Sequence, residues 1–84
     1  MTLIYGQVFD PLGRPVGEAS VYVVSAPVRM PDIAQLTDGQ GKFIFSAPVP
    51  GLYILGVRSD SWGATQKRFE ISSDEELVIE VRFP

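Results

Sequence analysis

The chain has 84 residues and a net charge of −3, with 45% hydrophobic and 20% charged residues. That balance is globular rather than disordered and makes one domain, residues 1–84. Cysteine and histidine are both absent, which removes disulfides, thiolate metal sites, the commonest general base and the commonest metal ligand. The seven basic residues are scattered, against the basic patch expected of a nucleic-acid binder. No apolar run approaches the ~18 residues of a membrane span. The start of the chain does not resemble a signal peptide, so a complete gene product of this sequence is expected in the cytoplasm.

Short alternating runs cut by turn residues dominate the pattern, the period-2 signature of strands with one buried face. The first predicted strand is Thr2 to Phe9, with Ile4, Gly6 and Val8 on one face and Leu3, Tyr5, Gln7 and Phe9 on the other. A turn follows, Asp10-Pro11-Leu12-Gly13-Arg14-Pro15. There proline presets φ and glycine accepts the positive φ a turn demands. The second strand is Ala19 to Ser25. Pro27 and Pro31 then break the pattern from Ala26 to Ile33, the longest irregular segment and the best-placed functional loop. A short strand, Ala34 to Thr37, meets Asp38-Gly39-Gln40-Gly41-Lys42, a hairpin signal. Phe43 to Ala47, Leu52 to Ser59, Ala64 to Ile71 and Leu77 to Phe83 complete seven strands. Their number and spacing predict an all-β, seven-stranded antiparallel Greek-key sandwich. The predicted core is Ile4, Val8, Val21, Val23, Phe43, Phe45, Tyr53, Leu55, Val57, Phe69, Ile79 and Val81.

Three blocks resemble a known family. They are Ile4 to Val16, with its Asp-x-x-Gly-x-Pro turn; Gly17 to Val23; and Thr37-Asp38-Gly39-Gln40-Gly41-Lys42-Phe43 followed by Pro50-Gly51-Leu52-Tyr53-Ile54-Leu55. In this order and spacing they resemble the carboxypeptidase regulatory-like domain of the transthyretin-like (prealbumin-like) sandwich superfamily. The resemblance implies that fold and fixes no function. Tyr53, just after Pro50-Gly51, fits a tyrosine corner, its ring in the core and its hydroxyl on nearby backbone.

Chemistry is sparse. Transthyretin-like enzymes that hydrolyse hydroxyisourate use histidines and a C-terminal Tyr-Arg-Gly-Ser, whereas this chain lacks histidine and ends Val81-Arg82-Phe83-Pro84. The zinc peptidase of the regulatory domain's relatives would sit on a separate domain. Similar domains that carry an isopeptide bond need a first-strand lysine, and Thr2 to Phe9 has none. Asp38 and Asp60 read as turn formers rather than calcium ligands. Asp74-Glu75-Glu76 reads as a solvated turn, and Gly39-Gln40-Gly41 as a hairpin rather than a nucleotide loop.

The functional expectation is therefore a chain that is not an enzyme, with no cofactor, metal, nucleic acid or membrane. It would act as a protein-interaction or scaffolding module, with a protein partner and self-association both open. A carbohydrate- or small-ligand-binding accessory domain is the alternative. The candidate interface is Val28, Arg29, Met30 and Ile33 of the long loop, with Trp62, Tyr5 and Tyr22. A carbohydrate platform needs Tyr5, Tyr22 and Trp62 in one plane.

Overall fold

The structure, a computed structural model, describes residues 1–31, 34–72 and 75–84. The strands are β1 (Thr2–Phe9), β2 (Ser20–Ser25), β3 (Gln35–Leu36), β4 (Lys42–Ala47), β5 (Gly51–Ser59), β6 (Gly63–Ile71) and β7 (Leu77–Arg82). They form a three-stranded sheet in the order β4-β1-β7 and a four-stranded sheet in the order β3-β2-β5-β6. The chain changes sheet between β1 and β2, β3 and β4, β4 and β5, and β6 and β7, the crossing pattern of a Greek-key sandwich.

One expectation needs correction. The sandwich is not wholly antiparallel, because β1 and β7 pair in parallel, Ile4 against Leu77 through Phe9 against Arg82. These two strands are neighbours without being joined by a turn. Nothing local fixes their relative direction; the path of the chain through β2 to β6 does. The third strand is also shorter than its predicted Ala34–Thr37. It pairs with β2 only at Ser20 and Val21.

Alternation places the core between the sheets. Ile4, Val8, Val21, Phe43, Phe45, Tyr53, Leu55, Val57, Phe69, Ile79 and Val81 are buried as predicted, and Val16, Ala19, Ala47, Ile71 and Phe83 join them. Val23 is only partly buried against this cluster. At the centre three rings meet. Tyr53 stacks on Phe69 with centroids 5.8 Å apart, and Phe45 stands edge-on to both. Such pairs add ~0.5–1.5 kcal/mol each beyond their buried area. The Tyr53 hydroxyl donates to the Val49 carbonyl at 2.6 Å and accepts from the Val49 N–H at 3.3 Å, the expected corner.

The edge strand β6 carries its own protection. Lys67 lies opposite the inward-facing Leu55, so a half-buried lysine points toward the interior of the sandwich from the edge. A charge so placed disfavours addition of a further strand.

Candidate functional site

The register sorts the loops into two groups. Among the described residues, the segments 10–19, 37–42 and 60–62 cluster at one end of the sandwich, and 26–31, 48–50 and the connection from β6 to β7 at the other.

At the first end one turn is built twice. Asp10 Oδ1 accepts from the Leu12 and Arg14 N–H groups at 2.9 Å, and Gly13 N–H donates to the Asp10 carbonyl at 3.0 Å. Asp38 Oδ1 accepts from the Gln40 and Lys42 N–H groups at 2.9 Å, and Gly41 N–H donates to the Asp38 carbonyl at 2.9 Å. Gly13 and Gly41 hold φ of +84° and +78°. In each case a five-residue Asp-x-x-Gly-Arg/Lys run supplies an acceptor for otherwise unpaired donors and a residue tolerant of the left-handed region. The backbone donor of Arg14, then that of Leu12 and the Arg14 guanidinium, hold the Asp10 carboxyl below its ordinary range, outweighing desolvation. The N–H groups of Lys42 and Gln40 do the same for Asp38. Both aspartates are thus turn formers. Among the described residues no three acidic, histidine or cysteine side chains gather to hold a metal ion.

The other end is built differently. Pro27 and Pro31 deny the 26–31 segment the donors of a strand. A register shift between Val23 and Ser25 turns the end of β2 outward. With β3 only two residues long, β2 beyond Val21 pairs on its outer side with no strand among the described residues. An apolar cleft of about 250 Å³ occupies that gap. Val21 and Val23 of β2 and Leu55 of β5 form one wall, Phe45 of β4 the facing wall, and Met30 with Pro31 the roof. Gln35, Ser46 and Tyr22 complete the lining. Gln35 Nε2 donates to the Ile44 carbonyl at 2.8 Å, a side-chain strut from one sheet to the edge of the other.

The residues proposed from sequence do not form one surface. Tyr5 lies on the outer face of the three-stranded sheet, opposite Ile44 and Val78, which are 55% and 76% exposed. Tyr22 lies on the outer face of the other sheet, its ring over Gly56, where a Cβ would meet the ring at 2.3 Å. The two tyrosines are therefore on opposite sides of the molecule, and the aromatic plane a carbohydrate would need does not exist. Trp62 is 41% exposed at the aspartate-turn end, beside Pro15 and Glu18, and it is not part of the core cluster. Val28 and Arg29 are exposed in the proline segment at the opposite end, and Met30 turns in against the core. Ile33 and Asp74 lie outside the described residues.

Apart from Met30, singled out on the long loop, the apolar wall residues of the cleft were legible only as core positions. Val21, Val23, Phe45 and Leu55 fall on the inward face of their strands, and Gln35 had no signal of its own. The prolines flanking Val28 to Met30 were the usable hint, since a segment that cannot pair leaves a strand edge uncovered.

No protein-family model matches the chain, and no curated protein matches its sequence. Among solved structures, 5-hydroxyisourate hydrolase of Klebsiella pneumoniae matches with a TM-score of 0.67 at 22% identity. The match covers 99% of this chain and 86% of that one. This finding corrects the expectation of a non-catalytic interaction or scaffolding module. The architecture is shared with an enzyme, and the lack of histidine and cysteine says nothing about a cavity left between the sheets. At this identity the likeness carries the shape, and the activity named is that protein's own. The fold of this chain is transthyretin-like.

Proposed function

We propose that the chain is a carboxypeptidase regulatory-like member of the transthyretin-like group that binds a small, neutral, mainly apolar ligand in the cleft between β2, β4 and the 26–31 segment. The cleft itself carries the reading: about 250 Å³ of space lined by Val21, Val23, Phe45, Leu55 and Met30. Apolar cavities of ~150 Å³ take up benzene, so this one has room for a ring system somewhat larger. Among the described residues no charged side chain lines it, and a charged ligand would lose hydration without compensation. Methionine in the roof suits a variable occupant, being unbranched and adaptable. The finer family assignment rests on the three motif blocks and the paired aspartate turns.

The test is a methyl-resolved NMR titration of the full chain with toluene and indole. Shifts are expected at the methyls of Val21, Val23, Leu55 and Met30 and not at Val78 or Ile44. Val23→Phe, which fills the cleft from its partly exposed wall, should abolish them while the thermal transition stays cooperative. Absence of cleft shifts with every probe at millimolar concentration overturns the reading. Because the same architecture serves a hydrolase in K. pneumoniae, 5-hydroxyisourate is incubated with the chain in parallel. Its decay above the uncatalysed rate would favour a catalytic role over binding alone.

A further inference from the structure

We infer that the ligand presents one hydrogen-bond donor, an N–H or O–H on an otherwise apolar ring, and that Gln35 Oε1 accepts it. The inference rests on the cleft being the binding site and adds the ligand's polarity.

The argument starts from the Gln35 amide. A carbonyl oxygen can only accept, so the atom of Gln35 lying 2.8 Å from the Ile44 carbonyl is the amide nitrogen. That contact fixes the flip of the amide and restrains its rotamer across the gap between the sheets. The oxygen Oε1 then has no partner among the described residues. It is also not buried, since no buried side-chain polar atom lacks a partner. Gln35 therefore offers a fixed, reachable acceptor at the rim of an apolar cavity.

The other polar groups nearby are turned elsewhere. Ser46 Oγ donates to Met1 Sδ at 2.7 Å. The Tyr22 ring, hydroxyl included, lies over Gly56 on the far face of the sheet. Among the described side chains, Gln35 thus sets an acceptor of fixed orientation beside apolar walls. A pre-positioned acceptor costs a donor-bearing ligand little extra ordering. It also selects against an isostere that presents a lone pair in the same place.

The experiment compares three probes of nearly one shape on the full chain by NMR titration: indole, benzothiophene and 1-methylindole. Indole is expected to bind about five- to tenfold more tightly than either analogue, the factor one neutral hydrogen bond supplies. In Gln35→Met, which keeps the side-chain volume, indole and benzothiophene should bind alike. Equal affinities for all three probes in the unaltered chain overturn the acceptor role while leaving the cleft as a binding site. Failure of all three to shift the cleft methyls overturns both. If Gln35→Met does not fold, the comparison of indole with 1-methylindole decides the question alone.

Discussion

At one end of the sandwich, residues 10–14 and 38–42 fold into the same hydrogen-bonded turn, and buried Thr37, just before the second, is tied to the 16–19 segment after the first. Its hydroxyl accepts from Ala19 N–H at 3.0 Å and donates to the Val16 carbonyl at 2.8 Å. At the other end, the 26–31 segment is held by two prolines and by Met30 leaning on the core. The Tyr53–Val49 hydroxyl contacts are the polar anchor beside it. The first end satisfies the donors of its two aspartate turns within the turns themselves. The second leaves a strand edge uncovered and is open. The open end, where packing rather than a hydrogen-bond ladder sets the shape, is where a ligand can enter.

The largest expected effect breaks the aspartate-turn end. In Gly41→Ala the new Cβ would meet the Val8 carbonyl oxygen at 2.5 Å at a φ of +78°. A loss of more than ~2 kcal/mol of stability is expected from the left-handed conformation and the clash together, measured by denaturant unfolding. Gly39, two positions earlier in the same turn, has open space around its would-be Cβ. Gly39→Ala should change stability by less than ~0.5 kcal/mol, and an equal loss in both variants would refute the turn geometry.

Acid should come next. Asp10 and Asp38 are both more acidic folded than unfolded. Their contribution is complete above the unfolded carboxyl pKa of about 4 and is lost as pH falls through the lower folded values. The melting midpoint is expected to hold down to about pH 5 and to drop below about pH 4. Asp10→Asn combined with Asp38→Asn should flatten that drop, and an unchanged acid limb would remove the aspartates from the account.

A smaller effect probes the open end. Tyr53→Phe deletes the hydroxyl that bonds Val49 and should cost about 1 kcal/mol. It should also loosen the packing of Pro27, whose ring lies against Gly51 directly after the 48–50 connection. The smallest change has the opposite sign. Glu18 holds a φ of +58°, so Glu18→Gly should stabilise the chain by up to ~1 kcal/mol. A destabilised variant would mean that Glu18 makes a compensating contact.

Much of the fold was legible because the alternation of Ile4, Gly6 and Val8, or of Phe43 and Phe45, is a local signal. The same holds for the aspartate turns, whose donors and acceptor lie within five residues. Tyr53 and its hydroxyl partner are four residues apart, which is why the corner could be anticipated. The candidate site was legible only in fragments. Met30 was singled out, but beside Trp62 at the opposite end and Tyr5 and Tyr22 on opposite faces. Those groupings depended on which sheet each strand joined, and no local pattern encodes that.

The sequence by itself determined the strands, the inward faces and the two aspartate turns, since each depends on residues close together in the chain. Only the tertiary structure decided that β1 and β7 run parallel. It alone decided that β3 stops after covering Ser20 and Val21. From the second of these come the cleft and the unpaired Gln35 acceptor. A gap between two sheets is a property of how far apart distant strands end, and side-chain periodicity says nothing about it.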